Sequence, residues 1–300
     1  MIIKEQEPLH AHTTFRIGGP ASYYLIPESV DEVRGALIFA EEKKLPSYIL
    51  GRGSNVLFDD EGYHGAVIEI GRGMEQVTIG VEQDGIVPVR AQAGIAMSTL
   101  AMQLAEAELT GFEFAGGIPG TLGGGIAMNA GAYGGEIRDC IRGAVVMAES
   151  GEILTLAREQ LELGYRTSII QKKNYIVLEG IFGFPRGKKE TILATMRELN
   201  RRRRDKQPLE YPSAGSTFKR PEGYFAGKLI EDAGLRGYRV GDAQVSEKHC
   251  GFVVNRGRAT AAEVKQLIRE VQEQVNRRFQ VELEPEVRIV TVRNRRQSGD

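Results

Sequence analysis

Residues 111–136, GFEFAGGIPGTLGGGIAMNAGAYGGE, limit what this chain can fold into more than any other stretch. Ten of the 26 residues are glycine, and charge is nearly absent. Glycine reaches positive φ without strain and lets a ligand approach the backbone closely. Successive exposed N–H groups in such a loop can cradle phosphate oxygens. Tight turns packed inside a domain would use glycine too. Two features weigh against turns alone: the stretch has no Ser/Lys-rich linker character, and Ile118, Leu122, Ile126 and Met128 are threaded through it. The pattern predicts buried backbone lying against something flat and polar.

A second glycine loop lies in residues 49–58, ILGRGSNVLF. Gly51-x-Gly53 after an apolar run suggests a dinucleotide fold, but that fingerprint needs a third glycine at the right offset and a following helix. The third position here is not glycine. Val56-Leu57-Phe58 followed by Asp59-Asp60-Glu61-Gly62 reads instead as a short strand and a turn. A Rossmann fold is disfavoured, and two glycine loops about 60 residues apart call for one common explanation.

Three hundred residues exceed one typical domain and predict two or three. A net charge of −1 gives no global field favouring nucleic acid or an anionic membrane. No apolar run approaches membrane-spanning length, and MIIKEQEPLH does not read as a signal peptide, so a cytoplasmic setting is expected. Cys140 and Cys250 lack metal-type spacing, and histidines 10, 12, 64 and 249 form no cluster resembling a metal site. No metal is expected.

Along the chain, Ser29-Val-Asp-Glu32 reads as a capping box before Val33, Ala36, Leu37 and Ala40 at helical spacing. With the strand at Tyr48-Ile-Leu50 this predicts a βαβ unit ending in the first glycine loop. Short strands follow between residues 65 and 93. Ser98 is expected to cap a helix carrying Leu100, Leu104 and Ala105. Residues 189–206 read as a helix ending in Arg201-Arg-Arg-Arg204, cations favoured near a helix C-terminus, with phosphate contact as the other reading. Pro208 and Pro212 then mark a domain boundary. Beyond it, 240–245 and 251–255 read as strands. Thr260-Ala-Ala-Glu263 opens a helix with Val264, Leu267, Ile268, Val271 and Val275 on one face, and a last strand is expected over 287–292. Helices and strands do not alternate regularly, which favours α+β over a doubly wound fold.

Three short motifs place polar residues in unusual settings: Gly164-Tyr-Arg166-Thr-Ser168, Ser213-Ala-Gly-Ser216-Thr-Phe, and Leu283-Glu-Pro-Glu286-Val-Arg288. Alone, each has a plain reading as a surface ion pair, a turn residue or a strand-end carboxylate. Together with TTFRIGGPA, LGRGSNVLF, GGIPGTLGGGIAMNAGAYGGE and FAGKLIEDAGLRG they occur in one order, and along essentially its whole length the chain resembles the MurB family of UDP-N-acetylenolpyruvoylglucosamine reductases.

The resemblance implies an α+β fold: an FAD-binding domain of the vanillyl-alcohol-oxidase (PCMH) type over 1–206, with subdomains of about 1–60 and 61–206; a substrate domain over 207–286; and a C-terminal strand, 287–300, returning to the first domain. Both glycine loops would surround one flavin, with Gly51, Arg52, Gly53, Ser54, Asn55, Gly116, Gly117, Ile118, Pro119, Gly120, Gly123, Gly124 and Asn129 as cofactor residues. It implies that NADPH reduces FAD and that hydride passes to an enolpyruvyl ether on a UDP-sugar in peptidoglycan precursor synthesis. Arg166 would hold the substrate carboxylate, Glu286 would donate a hydrogen bond to it if protonated, and Ser216 would be the proton donor. Tyr133, Arg220, Lys228 and His249 align with substrate-side residues, although some members have asparagine at position 220. The short segment between Glu179 and Lys189 lacks the tyrosine-bearing insertion of one branch. A flavin oxidase with a tethered cofactor and a flavin electron carrier are the rival readings.

Overall fold

A computed structural model describes residues 1–291, so position 292 of the expected last strand and the remainder of 287–300 lie outside the described residues. The first part of the chain forms β1 (Ile2–Pro8), β2 (Pro20–Ile26), α1 (Val30–Glu42), β3 (Ser47–Leu50), β4 (Val56–Phe58) and β5 (Tyr63–Glu69). Ser29 Oγ accepts from the Glu32 N–H at 3.2 Å and starts α1, whose Val33, Ala36 and Ala40 are buried. The sheet order is β1-β2-β5-β3, with β2 and β3 both parallel to β5 and β1 antiparallel to β2. The expected β2–α1–β3 crossover is present, with β5 inserted between its strands. Ala66, Val67 and Ile68 are fully buried, as suits a central strand covered on both faces. The first sheet therefore extends past residue 60, where the subdomain division was expected.

The second part forms β6 (Val77–Ile79), β7 (Ile86–Gln92), α2 (Met97–Glu106), α3 (Leu122–Ala127), β8 (Gly131–Ala132), β9 (Gly135–Glu136), β10 (Ile141–Met147), β11 (Ile153–Ala157), α4 (Ile169–Lys172) and β12 (Ile176–Pro185). Its antiparallel sheet has the order β11-β10-β12-β7-β6. Ser98 does not cap α2. The cap position is Ala96, and the Met97 N–H is taken by Gly120 O at 3.0 Å, so a bridge to the glycine-rich stretch starts this helix. The α2 residues Leu100, Leu104 and Ala105 are buried in the core shared by the two sheets.

Helix α5 (Lys189–Lys206) leads to β13 (Ser213–Ser216), α6 (Ala226–Asp232), β14 (Arg239–Val240), β15 (Ala243–Val245), β16 (Phe252–Asn255), α7 (Ala261–Phe279) and β17 (Arg288–Val290). The third sheet is antiparallel in the order β13-β16-β15-β14. The strand expected over 240–245 is a hairpin instead, because Gly241 takes a left-handed φ of +56° between Val240 and its partner Ala243. Thr260 and Glu263 cap α7 reciprocally, and its five expected apolar residues are buried.

Three contacts fasten this third unit to the first. Strand β17 pairs in parallel with β4. Asp60 accepts from the N–H groups of Ala261 (2.7 Å) and Ala262 (2.9 Å) at the α7 N-terminus, and Lys265 pairs with Asp59 at 3.1 Å. Phe15 and Ile17 are buried in the third unit's core although they belong to the N-terminal segment. Burial alternates there as the sequence suggests, but residues 13–17 form no strand. Arg16 has φ +56°, and Thr14 N–H bonds to Gly53 O at 3.1 Å.

Candidate active site

The first glycine loop follows β3 and the second precedes α3, and they touch. A Cβ on Gly51 would stand 2.3 Å from Thr121 Oγ1, and one on Gly120 would stand 3.3 Å from Ser54 Oγ. Gly53 has φ +58°, and a Cβ there would meet His12 O at 2.2 Å. The two loops thus form one surface, as a common ligand requires. Among the described residues, the backbone N–H groups of Arg52, Gly53, Ser54, Asn55, Gly120 and Gly124 have no protein acceptor. Beside Gly124 the nearest atom to an added Cβ would be Thr121 Oγ1 at 3.8 Å, so its face is open. A cleft of about 770 Å³ runs from Gly51 and Gly124 past Ile170 and Val177 to Glu286. Free donors, glycines with no room for a side chain and an apolar-walled cleft fit a flavin dinucleotide.

Not every expected cofactor residue faces this cleft. Gly116 and Gly117 lie against α5: a Cβ would meet Met196 Cε at 2.9 Å and Asn200 Oδ1 at 2.4 Å. Ile118 packs on the shared core, while Pro119 lines a third cavity of about 690 Å³ with Arg52 and Ser54. The Asn55 amide donates to Glu286 O (3.1 Å) and Met128 Sδ (3.2 Å). Asn129 is fully buried with all its polar atoms occupied. Nδ2 donates to Glu136 Oε2 (2.8 Å) and Gly164 O (3.0 Å), and Oδ1 accepts from Arg138 N (2.9 Å). The Asn129 side chain serves as an internal brace.

Arg166, Ser216 and Glu286, separated by up to 120 residues in sequence, line one cavity of about 330 Å³. Arg166 and Glu286 also border the larger cleft, so this pair forms part of the wall of both spaces. Glu286 N–H bonds to Thr217 O at 2.8 Å, which seats the carboxyl beside Ser216. Ser216 ends β13 just after Gly215 (φ +78°), where the ladder to β16 slips register. Arg166 Nε lies 2.9 Å from Glu286 Oε1, with side-chain exposures of 22% and 12%. The contact is close but misaligned, and the buried Nε makes no well-directed hydrogen bond. Burial pushes the Glu286 carboxyl above the ordinary range, and this outweighs the opposing pull of Arg166 and Lys219.

Arg220, Lys228 and His249 line the same cavity, whereas Tyr133 does not; it is exposed in the turn between β8 and β9 with φ +55°. The Arg220 guanidinium lies 3.9 Å from the Phe225 ring centre, and the Arg220 backbone N–H donates to Tyr165 Oη at 3.1 Å. Lys228 pairs with Asp232 at 2.6 Å along α6. Desolvation lowers the His249 pKa, and its Nδ1 accepts from Gly251 N at 3.1 Å, so a neutral ring faces the cavity. Tyr165, Arg236 and Lys248 also line it and were not singled out from the sequence. Tyr165 and Arg236 stood inside motifs already noted; Lys248 carried no local signal. Arg201 and Arg202 grip Glu198 along α5 at 2.9 and 2.8 Å, while Arg203 lines the third cavity beside Arg52. Among the described residues, no three His, Cys, Asp or Glu side chains could jointly hold a metal ion, and no helix is long and apolar enough to cross a membrane.

Residues 21–157 match the family described as "FAD binding domain", and residues 207–290 match "UDP-N-acetylenolpyruvoylglucosamine reductase, C-terminal domain". The UDP-N-acetylenolpyruvoylglucosamine reductase of Lachnoclostridium phytofermentans is 55% identical over 284 residues, covering 95% of this chain and 91% of that protein. The reductase of the same name from Agathobacter rectalis is 52% identical over 293 residues, covering 95% and 93%. The crystal structure of UDP-N-acetylenolpyruvylglucosamine reductase (MurB) from Thermus caldophilus superposes with a TM-score of 0.80 at 34% identity, covering 96% of this chain and 98% of that one. With these relatives spanning nearly its whole length, the chain belongs to the MurB family of UDP-N-acetylenolpyruvoylglucosamine reductases, flavoprotein oxidoreductases built from a PCMH-type FAD-binding domain and a C-terminal domain of their own.

Proposed function

We propose that this chain reduces UDP-N-acetylglucosamine enolpyruvate to UDP-N-acetylmuramate with NADPH, through FAD, in the cytoplasmic synthesis of peptidoglycan precursors. The observation that carries the reading is the meeting of Arg166, Ser216 and Glu286 around one cavity, with Arg166 and Glu286 also bordering the glycine-loop cleft. When bound, FAD supplies the redox step, taking a hydride from NADPH and delivering it to the terminal carbon of the enolpyruvyl group. The N–H groups of residues 52–55, with those of Gly120 and Gly124, would hold its phosphates.

The protein's share is placement and charge. Arg166 presents a planar cation, suited to fixing a carboxylate in one orientation. Burial raises the Glu286 pKa, and in its protonated form the carboxyl donates a hydrogen bond to the same carboxylate as negative charge grows there. Ser216 gives its proton to the carbon next to the carboxylate as the hydride arrives at the terminal carbon. One hydride and one proton together saturate the double bond and set the lactyl stereocentre. A serine hydroxyl is a weak acid, so its proton is replenished by a neighbour or water, and alignment does most of its work. Arg220, Lys228, Arg236 and Lys248 line the cavity, with Lys228 held by Asp232 and Arg236 by Glu231, and cations placed there suit the diphosphate of a nucleotide sugar.

The test is anaerobic. Purified protein showing a flavin spectrum is mixed with NADPH, and absorbance at the nicotinamide band is followed with and without the enolpyruvyl nucleotide. Catalytic NADPH consumption that depends on the sugar nucleotide is expected. Flavin that is reduced by NADPH but never reoxidised by that substrate would overturn the proposal.

A further inference from the structure

Arg166 adopts φ +56°, a left-handed conformation that non-glycine residues keep only when their surroundings impose it. Three side chains impose it here, and none of them lines the cavity that holds Ser216. Ser168, fully buried, donates Oγ to Ala127 O at 2.7 Å. Gln171 donates Nε2 to the same oxygen at 2.7 Å and reaches Arg166 O at 3.5 Å. Asn129, itself left-handed at φ +44°, ties Gly164 O at 3.0 Å. The turn that carries Arg166 is thereby fastened at both ends to residues 127–129 of the glycine-rich stretch. Two residues further on, Gly131 O receives the Arg166 Nη2 at 3.4 Å.

We propose that Asn129, Ser168 and Gln171 are positioning residues that aim the Arg166 guanidinium at the substrate carboxylate by locking the 164–168 turn onto the glycine-rich stretch. A long, rotamer-rich side chain is a poor clamp unless its backbone is fixed. Among the described residues its direct supports are weak: the misaligned Glu286 contact, the long bond to Gly131 O and the Tyr165 ring, whose centre is 5.4 Å away. The Ala127 carbonyl accepts two hydrogen bonds and has no lone pair left, so this anchor has one geometry. The same stretch carries the open Gly124 face of the cofactor cleft, so one segment sets both the cofactor loop and the arginine.

The inference rests on Arg166 being the carboxylate holder, and the test separates the two ideas. Ser168→Ala is compared with Ser168→Thr, which keeps the hydroxyl, in rapid-mixing traces of each half-reaction; Arg166→Gln provides a second background. Ser168→Ala is expected to slow reoxidation by the enolpyruvyl nucleotide on the order of 10- to 100-fold, the scale of a misplacement of about 1 Å. Flavin reduction by NADPH stays within about twofold, and Ser168→Thr restores most of the loss. In Arg166→Gln the further effect of Ser168→Ala shrinks to about twofold or less, since a residue acting through another has nothing left to act on. Equal slowing of both half-reactions, or an undiminished effect in Arg166→Gln, would overturn the proposal. Arg166→Gln that reoxidises at the normal rate would instead remove the reading beneath it. Should Ser168→Ala fail to accumulate as folded protein, Ser168→Cys keeps the volume while weakening the donor and is read the same way.

Discussion

Exchanging Glu286 for glutamine and for alanine distinguishes a hydrogen-bond donor from an ionisable acid. The carboxyl is 12% exposed, 2.9 Å from Arg166 Nε, and burial raises its pKa. Glutamine keeps the shape and supplies an amide donor without titrating. Only the strength of one hydrogen bond to a charged partner changes, so a loss of about tenfold or less in the substrate half-reaction is expected. Alanine removes the donor and leaves Arg166 facing an empty wall; deleting one donor aimed at developing negative charge typically costs roughly 10²- to 10³-fold. The sign of the pH effect follows from the raised pKa. Below it Glu286 is protonated and donates; as pH rises through it, the donor is lost and a second anion stands beside the substrate carboxylate. Substrate-driven reoxidation in the wild type therefore declines on the alkaline side. Stability declines with it, because a group whose folded pKa lies above its unfolded value contributes stability at low pH and loses it as pH rises through the folded pKa. Glu286→Gln flattens both declines. Anaerobic rapid mixing across pH, with thermal unfolding on the same samples, measures them. Glutamine and alanine variants equally slow, or an alkaline limb that persists in Glu286→Gln, would refute the protonated-donor role.

Ser216→Ala should leave NADPH-driven flavin reduction nearly intact while the substrate half-reaction falls by roughly 10²- to 10⁴-fold, the usual range for losing a positioned proton donor; separate traces of the two half-reactions decide it. Gly51→Ala places a Cβ 2.3 Å from the side-chain oxygen of buried Thr121 and should yield protein that purifies without flavin colour. Gly124→Ala meets nothing in the protein closer than 3.8 Å and improves a helical position by about 1 kcal/mol, so its melting temperature should hold or rise while FAD affinity drops. Flavin titration showing unchanged affinity would remove that face from the cofactor site. Burial pushes the Cys140 thiol up to about 12, so alkylation of Cys140 at neutral pH should require unfolding, which peptide mapping after iodoacetamide treatment with and without denaturant would reveal.

Local chemistry was readable from the sequence wherever it acts over a few residues. Ser29 and Thr260 declared their helices because capping is a three-residue interaction, and the apolar stripe of α7 declared its buried face. The candidate trio Arg166, Ser216 and Glu286 could be named through the family resemblance of short motifs, but its assembly could not: the bond from Glu286 N–H to Thr217 O spans 69 positions, and nothing local announces it. Glycine was the least legible residue. Gly117 and Gly124 look alike in a string, yet Asn200 of α5 lies against the first and the face of the second is open. Asn129 came in through the family resemblance as a cofactor residue, and nothing in the sequence signals that its side-chain polar atoms are bonded inside the protein. Ser98 failed as a cap because a long-range bridge to Thr121 had already fixed where α2 begins.

The anchors between the first and third units bear on how the site is made ready. Glu286 lies two residues before β17, which is paired to β4; its carbonyl accepts from Asn55 in the first glycine loop, and its N–H bonds to Thr217 beside Ser216. Asp60 holds the start of α7, and Phe15 and Ile17 are sunk into the third unit's core. Any rotation of the third unit large enough to part Glu286 from Arg166 would break the β17–β4 ladder, withdraw two apolar side chains from a packed core and unseat the α7 cap together. Each of these costs on the order of a kilocalorie per mole or more, and they fail as a set. The carboxyl, the serine and the flavin loop are therefore prearranged by the fold before substrate arrives. Pre-set donors of this kind make electrostatic stabilisation of developing charge effective, since no binding energy is diverted to assembling them.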